Sequence, residues 1–469
     1  MVAAASVAIL VVSGCAQEVV EEEYRPRESH ESYREAIVGL ELADSELGTR
    51  WITAAEAALE SPTVVEPPVR EVTFFDPHDP SARSYRFPVS RGRRVEITIG
   101  AEHDRYFAHV FRLGDDGEPG PEPVAARPEE ENQIVFEARQ NGFYLLRLQP
   151  ELLRGGRFEV EITHGASLAF PVEGTGPGDI RSFFGDPRAG GARLHHGVDI
   201  FAPRGTPVRA AGPAVVRYVG RRDLGGKVVV LTDRERNINI YYAHLHEQRA
   251  ERGERVEAGE VIGTVGNTGN ARTTPPHLHI GIYQGSWRNP VDPWSYFVGP
   301  PVTKPAAVAR EGLLGAWLRA PGDLEAAASI PPPTEPPVDY RNRNPFLQGA
   351  GDTFAGAEAQ EESPLELPAP ASIAVSAGTP VRVTGAAGNL LRVRAAAGAE
   401  VVLDPEYLAV PDSRVVLERD ELARDLRTGD VVAEVPAGTA VTVLGETDRG
   451  RLARLPSGRV AVLSGEWRP

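Results

Sequence analysis

Six of the chain's eleven histidines fall between residues 195 and 279, in three close pairs: His195 and His196 in RLHHGVDI, His244 and His246 in YYAHLH, and His277 and His279 in PPHLHIGIY. Neutral imidazoles and carboxylates are good zinc ligands, and a catalytic zinc takes three protein ligands while keeping a fourth position for water. His195, Asp199 and His279 would make such a set. Coordination lowers the pKa of that water from about 15.7 to about 7, so hydroxide forms at neutral pH without a strong base. An imidazole alongside, with an ordinary pKa of about 6.5, can accept the remaining proton and return it to a leaving amine, while a second steadies an oxyanion. Such a set would suit metal-assisted hydrolysis. Two histidines and a carboxylate also hold iron in non-haem oxygenases, but those sites favour a closer histidine–carboxylate spacing and have no use for His244 and His277 in fixed motifs.

Aiming such groups at one point is work for strands. Along PPHLHIGIY, side chains alternate faces, so Leu278, Ile280 and Ile282 share one side while His277, His279, Gly281 and Tyr283 share the other. The first side reads as core. Two incidental imidazoles on a solvated face would give the same pattern, so their neighbours in the chain decide between the two readings. The surrounding unit, residues 170–300, is dense in glycine turns and β-branched strands such as GKVVVLT, NINIYYAHL and EVIGTVG.

Across about residues 180–297 the chain resembles the lysostaphin-type zinc metallopeptidases, the LytM-like enzymes that cut peptide bonds in bacterial peptidoglycan. SFFGDPR, HHGVDIFAPRGTPVRAAGPAVV, YYAHL, RGERVEAGEVIGTVGNTGN and HLH stand in family order. The resemblance implies a two-sheet antiparallel β domain in which His195, Asp199 and His279 bind Zn2+ and His244 and His277 are non-ligand catalytic histidines. In the family the aspartate follows its histidine by four residues, which selects His195 over His196. His196 and His246 match no required role. Relatives commonly carry a small, glycine-containing turn before His-Leu-His and a glutamate two residues after it; here ARTTPP and Gly281 occupy those places. Some relatives have lost their ligands and regulate other wall hydrolases, an alternative that an intact set of five does not remove.

At 469 residues the chain exceeds one ordinary core, and about 150 residues per domain suggests roughly three units. Acidic residues outnumber basic ones 66 to 50, a formal net charge of −16, which disfavours nucleic acid as a partner. The start, MVAAASVAILVVSGC, has an apolar run fit for a signal-peptide core and too short to span a bilayer. Val12-Ser13-Gly14-Cys15 resembles the lipobox of bacterial lipoproteins, although no lysine or arginine precedes the run. The resemblance implies lipidation of Cys15 after a signal at 1–15 and a membrane partner. It places the protein in the bacterial cell envelope on the periplasmic side, with Ala16 favouring the outer membrane. Multiple acyl chains give the stable anchoring that one chain does not.

The expected organisation is mainly β and multi-domain. An acidic tether and helical segment spans 16–69, with Ile37, Leu40, Leu47, Trp51, Ala58 and Leu59 near helical spacing. Six period-two stretches over 70–165 predict a β-sandwich that looks like the jelly-roll accessory domains of secreted peptidases. The zinc metallopeptidase unit follows at 170–300. Residues 301–365 read as a Pro-rich linker with a short helix over 308–318 and no core of its own. Two repeats at 366–415 and 416–469 share the order Ala-Gly-Thr, alternating valines, turn and further strands, and resemble bacterial SH3-like barrels. A purely structural lipoprotein, tethering envelope to wall through those repeats, is a further alternative.

Overall fold

The structure is a computed structural model that describes residues 29–300 apart from 129, and 304–464 apart from 321–322, 328, 331–371, 396–399, 412, 427 and 448. Cys15, the signal-like run and most of the Pro-rich stretch lie outside the described residues. Among those described, no helix is long and apolar enough to cross a membrane.

The architecture is mainly β. Two helices, His30–Gly39 and Glu46–Glu60, begin at serines whose hydroxyls accept from backbone amides of the first turn, Ser32 N to Ser29 Oγ at 3.1 Å and Gly48 N to Ser45 Oγ at 3.1 Å. They pack over the sandwich through Tyr33, Ile37 and Trp51, and the Trp51 indole donates to Pro150 O at 2.8 Å. In Arg93–Ala101, Val95, Ile97 and Ile99 are wholly buried while Arg94, Glu96 and Thr98 turn outward, the alternation of a half-covered sheet. The sandwich core lies between this strand's sheet and a second sheet containing Arg83–Val89, Tyr106–Arg112 and Gly142–Pro150.

The peptidase-like unit stacks two antiparallel sheets around one core. The larger runs in the order Ile180–Ser182, Val198–Phe201, His277–Gln284, Ile238–Ala243, Gly226–Asp233, Ala214–Arg222, Arg255–Val256, with Pro290–Val291 also pairing to His277–Gln284. The smaller contains Pro207–Arg209, Val261–Thr264 and Glu247–Gln248. Leu278, Ile280 and Ile282 are wholly buried between them, so one face of the large sheet is core and the other carries the polar side chains.

Three features differ from expectation. No helix forms over 308–318: a single 3-10 turn, Glu311–Leu313, leads into the strand Trp317–Arg319. Gly315 sits at φ +78°, a left-handed conformation that ends helical winding. The stretch expected to lack a core continues into Leu324–Ala327 and Ser329–Ile330, and the latter pairs with Thr63–Val65 at the sandwich edge and buries Ile330 in its core. The first repeat is also not free-standing. Its strand Pro380–Ala387 pairs with Val69–Phe75, joining repeat and sandwich in one ten-stranded sheet. Buried ion pairs fasten the joint: Arg392 Nε and Nη2 reach Glu71 Oε1 and Oε2 at 2.6 and 2.8 Å, and Arg83 meets Glu400. Period-two patterning marks strands but not their distant partners, so the sequence offered no signal for this union. The second repeat forms a separate six-stranded sheet from Ser413–Val416 to Val460–Ser464.

Candidate metal centre

The register of three strands builds the site. Val198–Phe201 lies antiparallel beside His277–Gln284, with Asp199 directly opposite His279 and Phe201 opposite His277. On the other side of the same strand, Ala243 is opposite His279, which brings the chain end carrying His244 alongside. Directly paired residues project to the same face. His195, four residues before Asp199, is held by backbone bonds to the loop before it: Gly185 N to His195 O and His195 N to Asp186 O, both 2.9 Å.

Three donor atoms converge. His195 Nε2 is 3.1 Å from Asp199 Oδ1 and 2.9 Å from His279 Nδ1, and His279 Nδ1 is 3.0 Å from the same carboxylate oxygen. The His195 Nδ1 lies 2.7 Å from Phe183 O; a carbonyl only accepts, so that nitrogen carries the proton and Nε2 presents its lone pair to the cluster. All three residues are buried or nearly so. Burial opposes charge on Asp199, yet the close approach of His195 and His279 outweighs it and holds the carboxyl well below the usual range. Burial pushes the His279 imidazole down, toward its neutral form. A carboxylate and two imidazoles meeting at one point can hold a metal ion, and this donor set suits a borderline divalent ion such as zinc.

Two more imidazoles flank the cluster. His244 Nδ1 donates to Thr268 O and His277 Nδ1 to Pro275 O, each at 2.9 Å, so both rings leave Nε2 bare. Their centroids are 5.0 Å apart, and His244 is 5.9 Å from His279. Burial, then the neighbouring His279 and His277, pushes His244 down to about 4, which keeps it neutral. His244 also sits at φ +61°, a conformation costing about 1 kcal/mol for a residue with a Cβ. Such strain gathers where a side chain must be aimed. Phe201 stacks on the His277 ring at 5.0 Å and fixes its plane.

The five singled-out residues thus stand together. His196 turns toward Phe184, and His246 Nδ1 accepts from Arg204 at 3.1 Å, away from the cluster. Sequence reasoning gave no role to Arg188, although SFFGDPR contains it. Its Nη2 is 3.2 Å from Asp199 Oδ2 and bonds Ser182, so it fixes the carboxylate with Oδ1 toward the histidines. Gly281 has a local reason: a Cβ there would lie 2.5 Å from His196 O, leaving no room for a glutamate.

Residues 193–293 match Peptidase family M23. The chain is 38% identical over 136 residues to the L-Ala--D-Glu endopeptidase of Bacillus subtilis, covering 27% of this chain and 40% of that one. It is 40% identical over 108 residues to the peptidoglycan DD-endopeptidase ShyC of Vibrio cholerae, covering 22% and 24%. The catalytic domain of lysostaphin from Staphylococcus simulans is 32% identical, covering 24% of this chain and 85% of that one, at a TM-score of 0.22. The chain therefore spans less than half the length of these two curated relatives. Residues 193–293, which enclose His195, Asp199, His244, His277 and His279, are thus a peptidase family M23 domain.

Proposed function

We propose that this protein is a zinc-dependent endopeptidase that hydrolyses peptide bonds of peptidoglycan. One observation carries the reading: two imidazoles with bare Nε2 atoms, each anchored through Nδ1 to a backbone carbonyl, stand beside a three-donor cluster suited to a divalent cation. Zinc in such a set supplies Lewis acidity and an activated water at neutral pH. His195, Asp199 and His279 would hold it. His244, neutral at working pH, would take a proton at Nε2 and deliver it to the departing amine. His277, its ring plane fixed by Phe201, would stand beside the carbonyl oxygen and steady the negative charge that develops on it.

The names of the curated relatives support peptidoglycan as the substrate. In the same reading Cys15, in the lipobox-like Val-Ser-Gly-Cys, would carry a lipid that holds the protein in the envelope, and residues 366–469 would retain it on the wall. Digestion of purified peptidoglycan, with new amine and carboxyl ends identified by mass spectrometry, tests the activity. Cleavage that a chelator abolishes and zinc restores is expected. Zinc binding with no cleavage would hand the function to the regulatory reading.

A further inference from the structure

The exposed face of the large sheet extends well beyond the histidines. His279, Gly281 and Tyr283 alternate onto it, and register carries the same face across the sheet: Tyr283 is opposite Asn239, Asn239 opposite Thr232, and Thr232 opposite Val215. The Thr232 hydroxyl donates to Asn239 Oδ1 at 2.7 Å, joining two of these strands on that face. Next to His279 stands an aromatic platform. Tyr241 is 6.0 Å from the His279 ring and 6.2 Å from Trp287, and Trp287 is 4.8 Å from Tyr283. The Trp287 side chain is 48% exposed although it packs on two tyrosines, which leaves a flat apolar surface for a ligand.

Past the platform the face ends in an open groove of about 490 Å3 lined by Thr232, Asn239 and three arginines, Arg217, Arg234 and Arg252. All three are exposed, and none is paired with a carboxylate among the described residues. Two acids close to them have other partners: Asp233 Oδ2 is 2.7 Å from Arg236 Nη1, and Glu254 Oε2 accepts from Glu251 N at 2.7 Å. Three unpaired cations in one concavity stand out in a chain of net charge −16.

We propose that Arg217, Arg234 and Arg252 form a subsite for a carboxylate of the acidic peptide that is cut beside His279. The inference rests on the endopeptidase reading and adds where the substrate lies. From His279 to Tyr283 the strand rises about 13 Å, and an extended peptide spans about 3.5 Å per residue. The anionic group therefore sits about four to six residues from the cleaved bond, with the intervening backbone over Tyr241, Tyr283 and Trp287. Guanidinium forks match carboxylates in bidentate geometry. Continuity with the histidine site favours a carboxylate of the substrate itself over a separate phosphate polymer.

The test uses the full chain and a triple variant, Arg217→Gln with Arg234→Gln and Arg252→Gln, whose exposed positions spare the core; an unchanged melting temperature verifies folding. Purified cross-linked muropeptide dimers are offered with free carboxylates and after amidation. For the free form the variant should raise KM about tenfold with kcat unchanged, the sum of three exposed charge contacts of a few tenths of a kcal/mol each. The amidated dimer should not distinguish the two proteins, and added salt should raise KM only for the wild type. Binding of fluorescent dimers to the His277→Ala protein, with and without the triple substitution, reads the subsite without turnover. Cleavage with a KM indifferent to the substitutions would overturn the subsite and leave the function standing. Arginine-dependent binding with no cleavage by the wild type would do the reverse. Arginine-dependent binding of polyglycerol phosphate, with dimers unaffected, would overturn the assignment to a carboxylate.

Discussion

Asp199 and His279 face each other as directly paired residues of adjacent antiparallel strands, and the side chains close to 3.0 Å between Oδ1 and Nδ1. The pairing gives two of three candidate ligands from one step of strand register, while His277, two residues away on the same face, meets Phe201 instead. Identical residue types in His-Leu-His therefore have different partners.

That difference predicts a split between metal content and turnover. His279→Ala, His195→Ala and Asp199→Ala should each lose zinc and activity together. His277→Ala and His244→Ala should keep zinc near stoichiometric while slowing turnover about 10²- to 10⁴-fold, the usual range for a lost acid-base group. Plasma emission on dialysed protein, with circular dichroism to verify the fold, reads the difference. Zinc lost from His277→Ala and kept by His279→Ala would reverse the assignment.

The joint between sandwich and first repeat makes a second prediction. Glu71 is 1% exposed and its carboxylate is met by Arg392. Removing one partner strands a buried charge, so Arg392→Met should destabilise the protein by about 3–5 kcal/mol, and adding Glu71→Gln should recover part of that loss. Ending the chain at residue 411 should leave the rest folded, whereas ending it at 371 should not, because strand Pro380–Ala387 and Arg392 go with it. Urea unfolding of the four proteins decides; equal stability for the two truncations would mean that the pairing with Val69–Phe75 contributes little.

A third prediction concerns acid. Burial pushes His30 down to about 3 and His109 down to about 4, with Arg147 adding to both. In the unfolded chain each titrates at about 6.5, so between pH 6.5 and 4 the unfolded state binds more protons. Stability is then full above pH 6.5 and falls as pH drops through that window, by about 2–3 kcal/mol per histidine at pH 4.5. His30→Gln and His109→Gln should each flatten the dependence of the urea midpoint on pH. A wild-type midpoint constant from pH 7 to 4.5 would show that these rings do not stay neutral in the folded protein.

Much of the site was legible because alternation is local. The two faces of His277–Gln284 follow from spacing alone, and His195-x3-Asp199 lies within one short segment. What escaped was set by distant pairing. Arg188 acquires its place only when the loop after Ser182 folds back on Asp199, and the anchors Thr268 O and Pro275 O are backbone atoms with no residue signature. The same holds for the tail, where valine alternation announced strands but could not name Val69–Phe75 as a neighbour. The misread helix over 308–318 was a failure of local weighting, since Gly312 and Gly315 already argued against it.

The last prediction returns to Gly281, the position where the family resemblance leads one to expect a glutamate. Here the His196 carbonyl occupies the space above it, 2.5 Å from where a Cβ would stand. His196 is the neighbour of His195, so a side chain at 281 must push the backbone that holds a candidate ligand. Gly281→Ala should cost about 1–3 kcal/mol, the range for forcing atoms into a packed site, and should weaken zinc retention as well. Gly165→Ala, on a strand where nothing lies within 4 Å of the added Cβ, should leave zinc untouched and serves as the control. Both are measured by urea midpoint and by zinc retained against a competing chelator. If Gly281→Ala holds zinc as well as the control does, the close approach of His196 does not position His195, and the glycine reflects packing alone.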